Sequence, residues 1–221
     1  MSTTYHIKHF VQFLATLEQN NNRLWFDVNR TQYKQLSEQF KVIAADILDK
    51  LTHIDPLLFG IDLKSSLYRI NRDARFSHNK NPYNTHISAL FSQTGKQDCC
   101  IGYYLQINQL GELIVGGGQY VLESTELFRI RTILSKDSSD LESIVNNELF
   151  QKTFGELTSQ QLKTCPKGFA KDNPNIFWLR YKNYVASNNI SCKDWSDQRI
   201  SDFVLQHFEV IKPLISWLRN I

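Results

Sequence analysis

The first fifty residues carry their apolar side chains at a helical period. Phe10, Phe13, Leu14 and Leu17 recur at intervals of three and four, predicting a short amphipathic helix over about 6–20. The run Asn20-Asn21-Asn22 then supplies a stop followed by a new start. In the next series Tyr33, Leu36, Phe40, Ile43, Ile47 and Leu51 share one face, while Lys34, Glu38, Lys41, Asp49 and Lys50 take the others. One long helix is expected over roughly 25–53, ending before Asp55-Pro56 because a proline ring disfavours helical backbone in the residue before it.

Between about 61 and 120 the texture changes to β-branched and aromatic residues broken by Gly, Asn and Pro, predicting strands near 65–70, 86–92, 99–107 and 112–117. Ile101 to Ile107 and Glu112 to Val115, separated by Asn108-Gln109-Leu110-Gly111, form a hairpin with a loop of about four residues. Helical spacing returns at about 123–135 and 139–151. Residues 153–174, with Pro166, Gly168 and Pro174, suit a loop, and 175–185 a short helix or strand. The series Ile200, Val204, Phe208, Ile211, Ile215 and Leu218 predicts a last helix that Pro213 either kinks or restarts. No alternation of strands with helices of the parallel type occurs, which argues against a Rossmann-like architecture. The expectation is a single α+β domain over residues 1–221, with an antiparallel sheet from the middle of the chain (a mixed one being the alternative) packed against N-terminal and C-terminal helices.

Composition adds little until its distribution is considered. A chain of 221 residues, 42% hydrophobic and 21% charged, has the make-up of a folded globular domain. Its net charge of +3 is too mild to imply nucleic acid. Residues 69–80, however, hold Arg69, Arg72, Arg75 and Lys80 against Asp73, a net +3, and removing them leaves 21 basic and 21 acidic residues of the chain's 25 and 22. The whole formal surplus sits in one dodecapeptide. Cys99, Cys100, Cys165 and Cys192 form no C-x-x-C pair and have no matching His spacing, so no metal, cofactor or redox motif is indicated. No secretory leader and no apolar run of the ~20 residues needed to span a bilayer is present, so a reduced, cytoplasmic setting without a membrane partner is expected.

Arginine's planar fork matches carboxylate and phosphate oxygens in bidentate fashion, so Arg69, Arg72 and Arg75 in one segment suit an anionic ligand. Lys80 adds a point charge, Asp73 can fix one guanidinium, Phe76 can anchor the loop, and Tyr83 can close the site. If a reaction is catalysed, the proton-transfer candidates are Asp73, His78 and Tyr83, in that order. The alternative is a structural ion-pair network completed by acids such as Asp27 or Glu18. Gly116-Gly117-Gly118 reads as a β-bulge or sharp strand exit, with an anion-cupping nest as the weaker alternative. P-loop, dinucleotide, nucleophile-elbow and zinc-helix patterns are all absent.

Arg69-x-x-Arg72-Asp73-x-Arg75-Phe76-x-x-Asn79-Lys80-x-x-Tyr83 resembles the hallmark of an uncharacterised bacterial protein family, the domain of unknown function 2461, which also occurs in larger fungal proteins. The similarity extends to Asn21-Asn22-x-x-Trp25-Phe26, Gly116 to Tyr120, Arg129 to Arg131 and Pro166-Lys167-Gly168-Phe169. It implies no established activity, substrate or catalytic residue. Asn79 stands where the pattern also allows aspartate, which disfavours a mechanism needing an acid there, and Asn84 stands where a lysine is expected in many relatives.

The leading expectation is a protein that binds a phosphate- or carboxylate-bearing ligand, an anionic small molecule or phosphorylated partner, through Arg69, Arg72, Arg75, Lys80 and Tyr83. The alternative is a non-enzymatic interaction or structural module with the arginines as internal braces. Nucleic acid stays open as a partner, although the segment's one Phe and one Tyr do not make a stacking platform. Oligomeric state is not legible.

Overall fold

The computed structural model describes residues 7–73, 75, 77–96, 100–191 and 200–221. Phe76, Cys99 and Cys192 lie outside them. Helix α1 (Ile7–Gln19) buries Phe10, Phe13, Leu14 and Leu17 as the spacing requires. Asn22 then accepts a hydrogen bond from the Trp25 amide at 3.0 Å and starts α2 (Arg23–Ile54), which ends at Asp55 before the Pro56–Leu58 turn of 3-10 helix. Phe13 meets Trp25 at 5.7 Å between ring centroids, so the aromatic pair is a helix-helix junction.

Strands β1 (His86–Phe91), β2 (Ile101–Asn108) and β3 (Glu112–Gln119) form an antiparallel meander, and β4 (Tyr184–Ser191) pairs antiparallel with β3. The β2–β3 loop is one residue shorter than expected, because Asn108 remains in the strand and its side-chain oxygen accepts from the Leu110 and Glu112 amides. Between β3 and β4 the chain runs through α4 (Ser124–Lys136), α5 (Ser139–Val145), α6 (Glu148–Phe154) and the single turn α7 (Ile176–Leu179). The expected helix over 139–151 is therefore two helices. Asn147 causes the break: its side chain accepts from the Leu149 and Phe150 amides and begins α6. The 175–185 stretch holds both a helix and the start of a strand.

The 65–70 strand is not formed. Asp62 accepts from the Lys64 amide and caps a one-turn helix, α3 (Leu63–Ser66), after which the segment meets its neighbour in the isolated bridges Leu67–Ala89 and Asn71–Tyr83 rather than in a continuous strand ladder. The glycine run is no bulge either. Gly116, Gly117 and Gly118 lie inside β3, paired with β2 on one side and β4 on the other. A Cβ at Gly117 would stand 2.8 Å from the Gly102 carbonyl and 3.1 Å from Ile215, so absence of a side chain lets the last helix close on the sheet.

That helix, α8 (Ile200–Asn220), runs unbroken through Pro213. Pro213 is exposed, so the helical carbonyl it cannot satisfy faces water. The opposite stripe of α8 packs on the sheet's inner face, with Phe208 5.1 Å from Tyr103 and 6.1 Å from Phe91, and Trp217 6.0 Å from Tyr184. Helix α2 packs on α8 and on β1. Where these layers meet, the buried Asp55 carboxylate accepts from Arg219 Nη1 at 2.6 Å and from the Tyr103 hydroxyl at 2.9 Å. Burial raises the Tyr103 pKa, and the charge of Asp55 raises it further. No helix among the described residues is long and apolar enough to cross a membrane.

Removing one member of a buried charge pair leaves the other uncompensated, at a cost of about 3–5 kcal/mol, roughly 6–20 °C in Tm at this size. Asp55→Ala is expected to show that loss in thermal melts, and Asp55→Ala combined with Arg219→Met to lose less than the two singles together. Strict additivity would contradict the pairing. A second expectation concerns pH. Burial lowers the pKa of His86 and of His207, which sits between the rings of Phe154 and Phe203, below the ordinary 6.5. The unfolded chain then binds protons more readily than the folded one, so stability is full above about pH 7 and falls as pH drops through 6.5. Replacing His207 by Gln should flatten the fall in Tm between about pH 7 and pH 5.5; an unchanged slope would show that His207 is not its source.

Candidate functional site

The basic segment is built on an irregular two-stranded ribbon. Residues 67–72 run antiparallel to 82–89, held by Tyr68 N to Ser88 O at 3.0 Å, Asn84 N to Ile70 O at 2.7 Å and Arg72 N to Pro82 O at 2.9 Å. Because the segment is extended, Arg69, Arg72 and Arg75 do not form the stripe that a helix would give them. Ile70 and Tyr83 are buried, at 5% and 6% exposure, and fasten the ribbon to the helices. The Tyr83 ring stacks on Phe26 of α2 at 3.9 Å and 16°. Asn21, in the turn between α1 and α2, donates to the Tyr83 carbonyl at 2.9 Å and accepts from its amide at 3.1 Å, pairing with it as a neighbouring strand would. Tyr83, expected at the rim of the site, is thus part of its foundation.

Beyond the ribbon lies the loop 73–81, knitted by its own polar groups. Asp73 receives Arg75 Nε at 3.0 Å and Nη2 at 2.6 Å, a bidentate pair standing in solvent with side chains 58% and 77% exposed. These bonds, together with one from the Arg75 amide, hold the Asp73 pKa down to about 2 and raise that of Arg75. Arg72 is half-buried and donates through Nη2 to a neutral group, the Ser77 hydroxyl, at 2.9 Å. Lys80 donates to the Arg75 carbonyl at 3.3 Å, and Asn79 accepts from the Asn81 amide. His78 is exposed. The acids suggested to complete an ion-pair network are engaged elsewhere: Asp27 pairs with Arg30, and Glu18 accepts from Gln109 Nε2.

Arg69 is exposed on the ribbon itself, and its charged neighbour is Lys96, from the β1–β2 connection. Lys96 donates to the carbonyls of Leu67 and Lys64 and lies 5.6 Å from the Tyr68 ring centroid. Partial burial lowers its pKa, the Arg69 charge lowers it further, and Asp62 opposes both. No sequence pattern pointed to Lys96, and the resemblance that includes Asn21 gave no sign of its clamp on Tyr83, because each works across the fold on backbone groups that no motif records.

Two concavities flank this region, and neither is lined by Arg69, Arg72, Arg75 or Lys80. A closed one of about 10 Å³, scarcely room for a single water, lies between Tyr33, Tyr68, Ile70 and His86. An open one of about 610 Å³ is bordered by Leu57, Phe59, Asp62, Ser65, Gln93 and Thr94. No group of three or more His, Cys, Asp and Glu that could hold a metal ion occurs among the described residues. No curated protein and no solved structure matches the chain at a significant level. The family model described as "Conserved hypothetical protein (DUF2461)" matches residues 9–217, nearly the whole length, and the chain belongs to that family.

Proposed function

We propose that the ribbon and loop 69–80 bind a phosphate- or carboxylate-bearing ligand, with Arg69, Arg72 and Lys80 meeting its oxygens and Asp73 presenting Arg75. The observation that carries this reading is Arg72: a half-buried guanidinium that spends a hydrogen bond on a neutral hydroxyl keeps its charge available to an anion. The Asn21, Phe26 and Tyr83 foundation supports it by pre-organising the ribbon, which lowers the entropy cost of ligand binding. Asp73 serves as a positioning acceptor. A carboxylate held near 2 is ionised at neutral pH and takes up a proton poorly, which favours a positioning role for Asp73 over a general-base one.

The bracing alternative draws on the Asp73–Arg75 pair. That pair is exposed on both sides, and such surface pairs contribute little to stability. The test is a titration of tripolyphosphate and of citrate into isotope-labelled protein, followed by amide chemical shifts. Saturable shifts confined to about 69–83, with affinity at least tenfold weaker in Arg69→Gln combined with Arg72→Gln and Tm within ~2 °C of wild type, are expected. Equal affinity in the double variant, or no saturable shift in this stretch, refutes the site; a large fall in Tm without a change in affinity establishes the bracing reading instead.

A further inference from the structure

The outer face of the sheet, opposite α8, carries three tyrosines that are remote in sequence. Alternation from the buried inner residues puts Ser88, Leu90, Tyr104, Gln106, Ile114, Gly116, Val185, Ser187 and Asn189 on this face. Tyr104, half-buried, stands at its centre on β2, directly opposite Gly116 of β3, which contributes no side chain on that flank. Tyr68 of the ribbon meets it at 6.4 Å with the rings at 73°. Tyr120, just past the end of β3, is 74% exposed. Tyr68 is 42% exposed and carries Lys96 beside its ring, with Arg69 next in line. The result is a row from the end of β3 across β2 to a cationic edge, continuous with the net +3 of residues 69–80.

We propose that this row binds single-stranded nucleic acid, bases stacking on Tyr68, Tyr104 and Tyr120 and phosphates meeting Lys96, Arg69 and the basic ribbon. Charge complementarity selects this occupant: flat apolar rings beside cations fit a chain that carries a ring and an anionic group in every unit. Beside the rings lie Gln106, whose side-chain oxygen accepts from the Tyr104 hydroxyl at 2.7 Å, and the half-buried Ser187, groups suited to base edges. A duplex fits poorly, because its bases are hidden and the stacking groups would have nothing to cover. Among the described residues, Glu112 accepts from Asn108 Nδ2 at 2.8 Å at the far end of the face, and Asp62 caps α3. The inference rests on the anion reading of the ribbon, and adds the ring-bearing class of ligand.

Fluorescence anisotropy with labelled twelve-residue oligo(U) and oligo(dT) tests it, using a duplex of equal length and a polyphosphate of equal charge as competitors. Wild type is expected to prefer the single strands. Tyr120→Ala and Tyr68→Ala should each weaken binding roughly fivefold or more, without altering its salt dependence. Arg69→Gln should instead reduce the slope of log affinity against log salt by about 0.7, the share of one phosphate contact. Circular dichroism on the exposed-site variant Tyr120→Ala checks that the fold is kept. Tyrosine variants that bind like wild type, or polyphosphate competing as well as the single strand, overturn the stacking row while leaving the anion site standing. A preference for duplex also overturns it. Failure of the oligonucleotides and of the polyphosphate alike removes both readings.

Discussion

One buried carboxylate joins the three parts of this fold. Asp55 ends the long helix α2, receives the hydroxyl of Tyr103 from the centre of the sheet, and pairs with Arg219 in the last turn of α8. A charge this deep is tolerated only with partners in good geometry, so each element is held in one register against the other two. The pairing is not complete, since Arg219 Nη2 is buried without a protein partner. Such a pair is a weak source of net stability, because desolvation offsets most of the attraction. Its effect is to define one arrangement, with the helix α8 on the inner face of the sheet and Tyr104 on the outer one.

The glycine run of β3 serves the same arrangement from the other side. At Gly117 the inner face has room for α8 only because no Cβ is present, with Ile211 and Ile215 filling the space. At Gly118, φ is +127° and a Cβ would lie 2.1 Å from the Tyr184 carbonyl, so a side chain there is excluded by both conformation and contact. The second half of β3, an inner strand of the sheet, is therefore rich in a residue of low strand propensity, and it holds because each glycine is paired between two strands. The long connection from β3 to β4 is tied down separately. Asn173 and Asn175 donate to the Ser135 and Leu134 carbonyls at the end of α4, and Arg131 donates to the carbonyls of Leu179 and Tyr181.

The proposed anion site follows from what holds the ribbon in place. Its fastenings, Ile70, Tyr83 and the Asn21 clamp, all lie beneath it, which leaves Arg69, Arg75 and Lys80 on the exposed side. Because the acid of the segment is committed to Arg75, the positive surplus of residues 69–80 is not neutralised by it beyond that one pair. Partial burial lowers the pKa of Lys96 and the charge of Arg69 lowers it further, a repulsion between cations that an anion would relieve.

Most of the helices were legible in the sequence, because a helix needs only local information: periodic apolar positions, an Asn cap at 22 and a proline after Asp55. The α+β class and the β1–β3 meander were legible for the same reason, as was the location of the charge surplus. Only the tertiary structure decided the rest. Whether residues 65–70 form a strand depends on a partner, and Asp62 captured their start as a helical turn; whether three glycines make a bulge depends on β4 and α8 on either side of them. Tyr83 carries the signature of a site residue yet is buried by Phe26, while Tyr68 and Tyr104 carry no signature and meet because the ribbon bonds to β1 and β1 pairs with β2. Local pattern sets secondary structure because its hydrogen bonds close within a few residues, whereas a surface is assembled from residues far apart in the chain, and their meeting is written only in the packing.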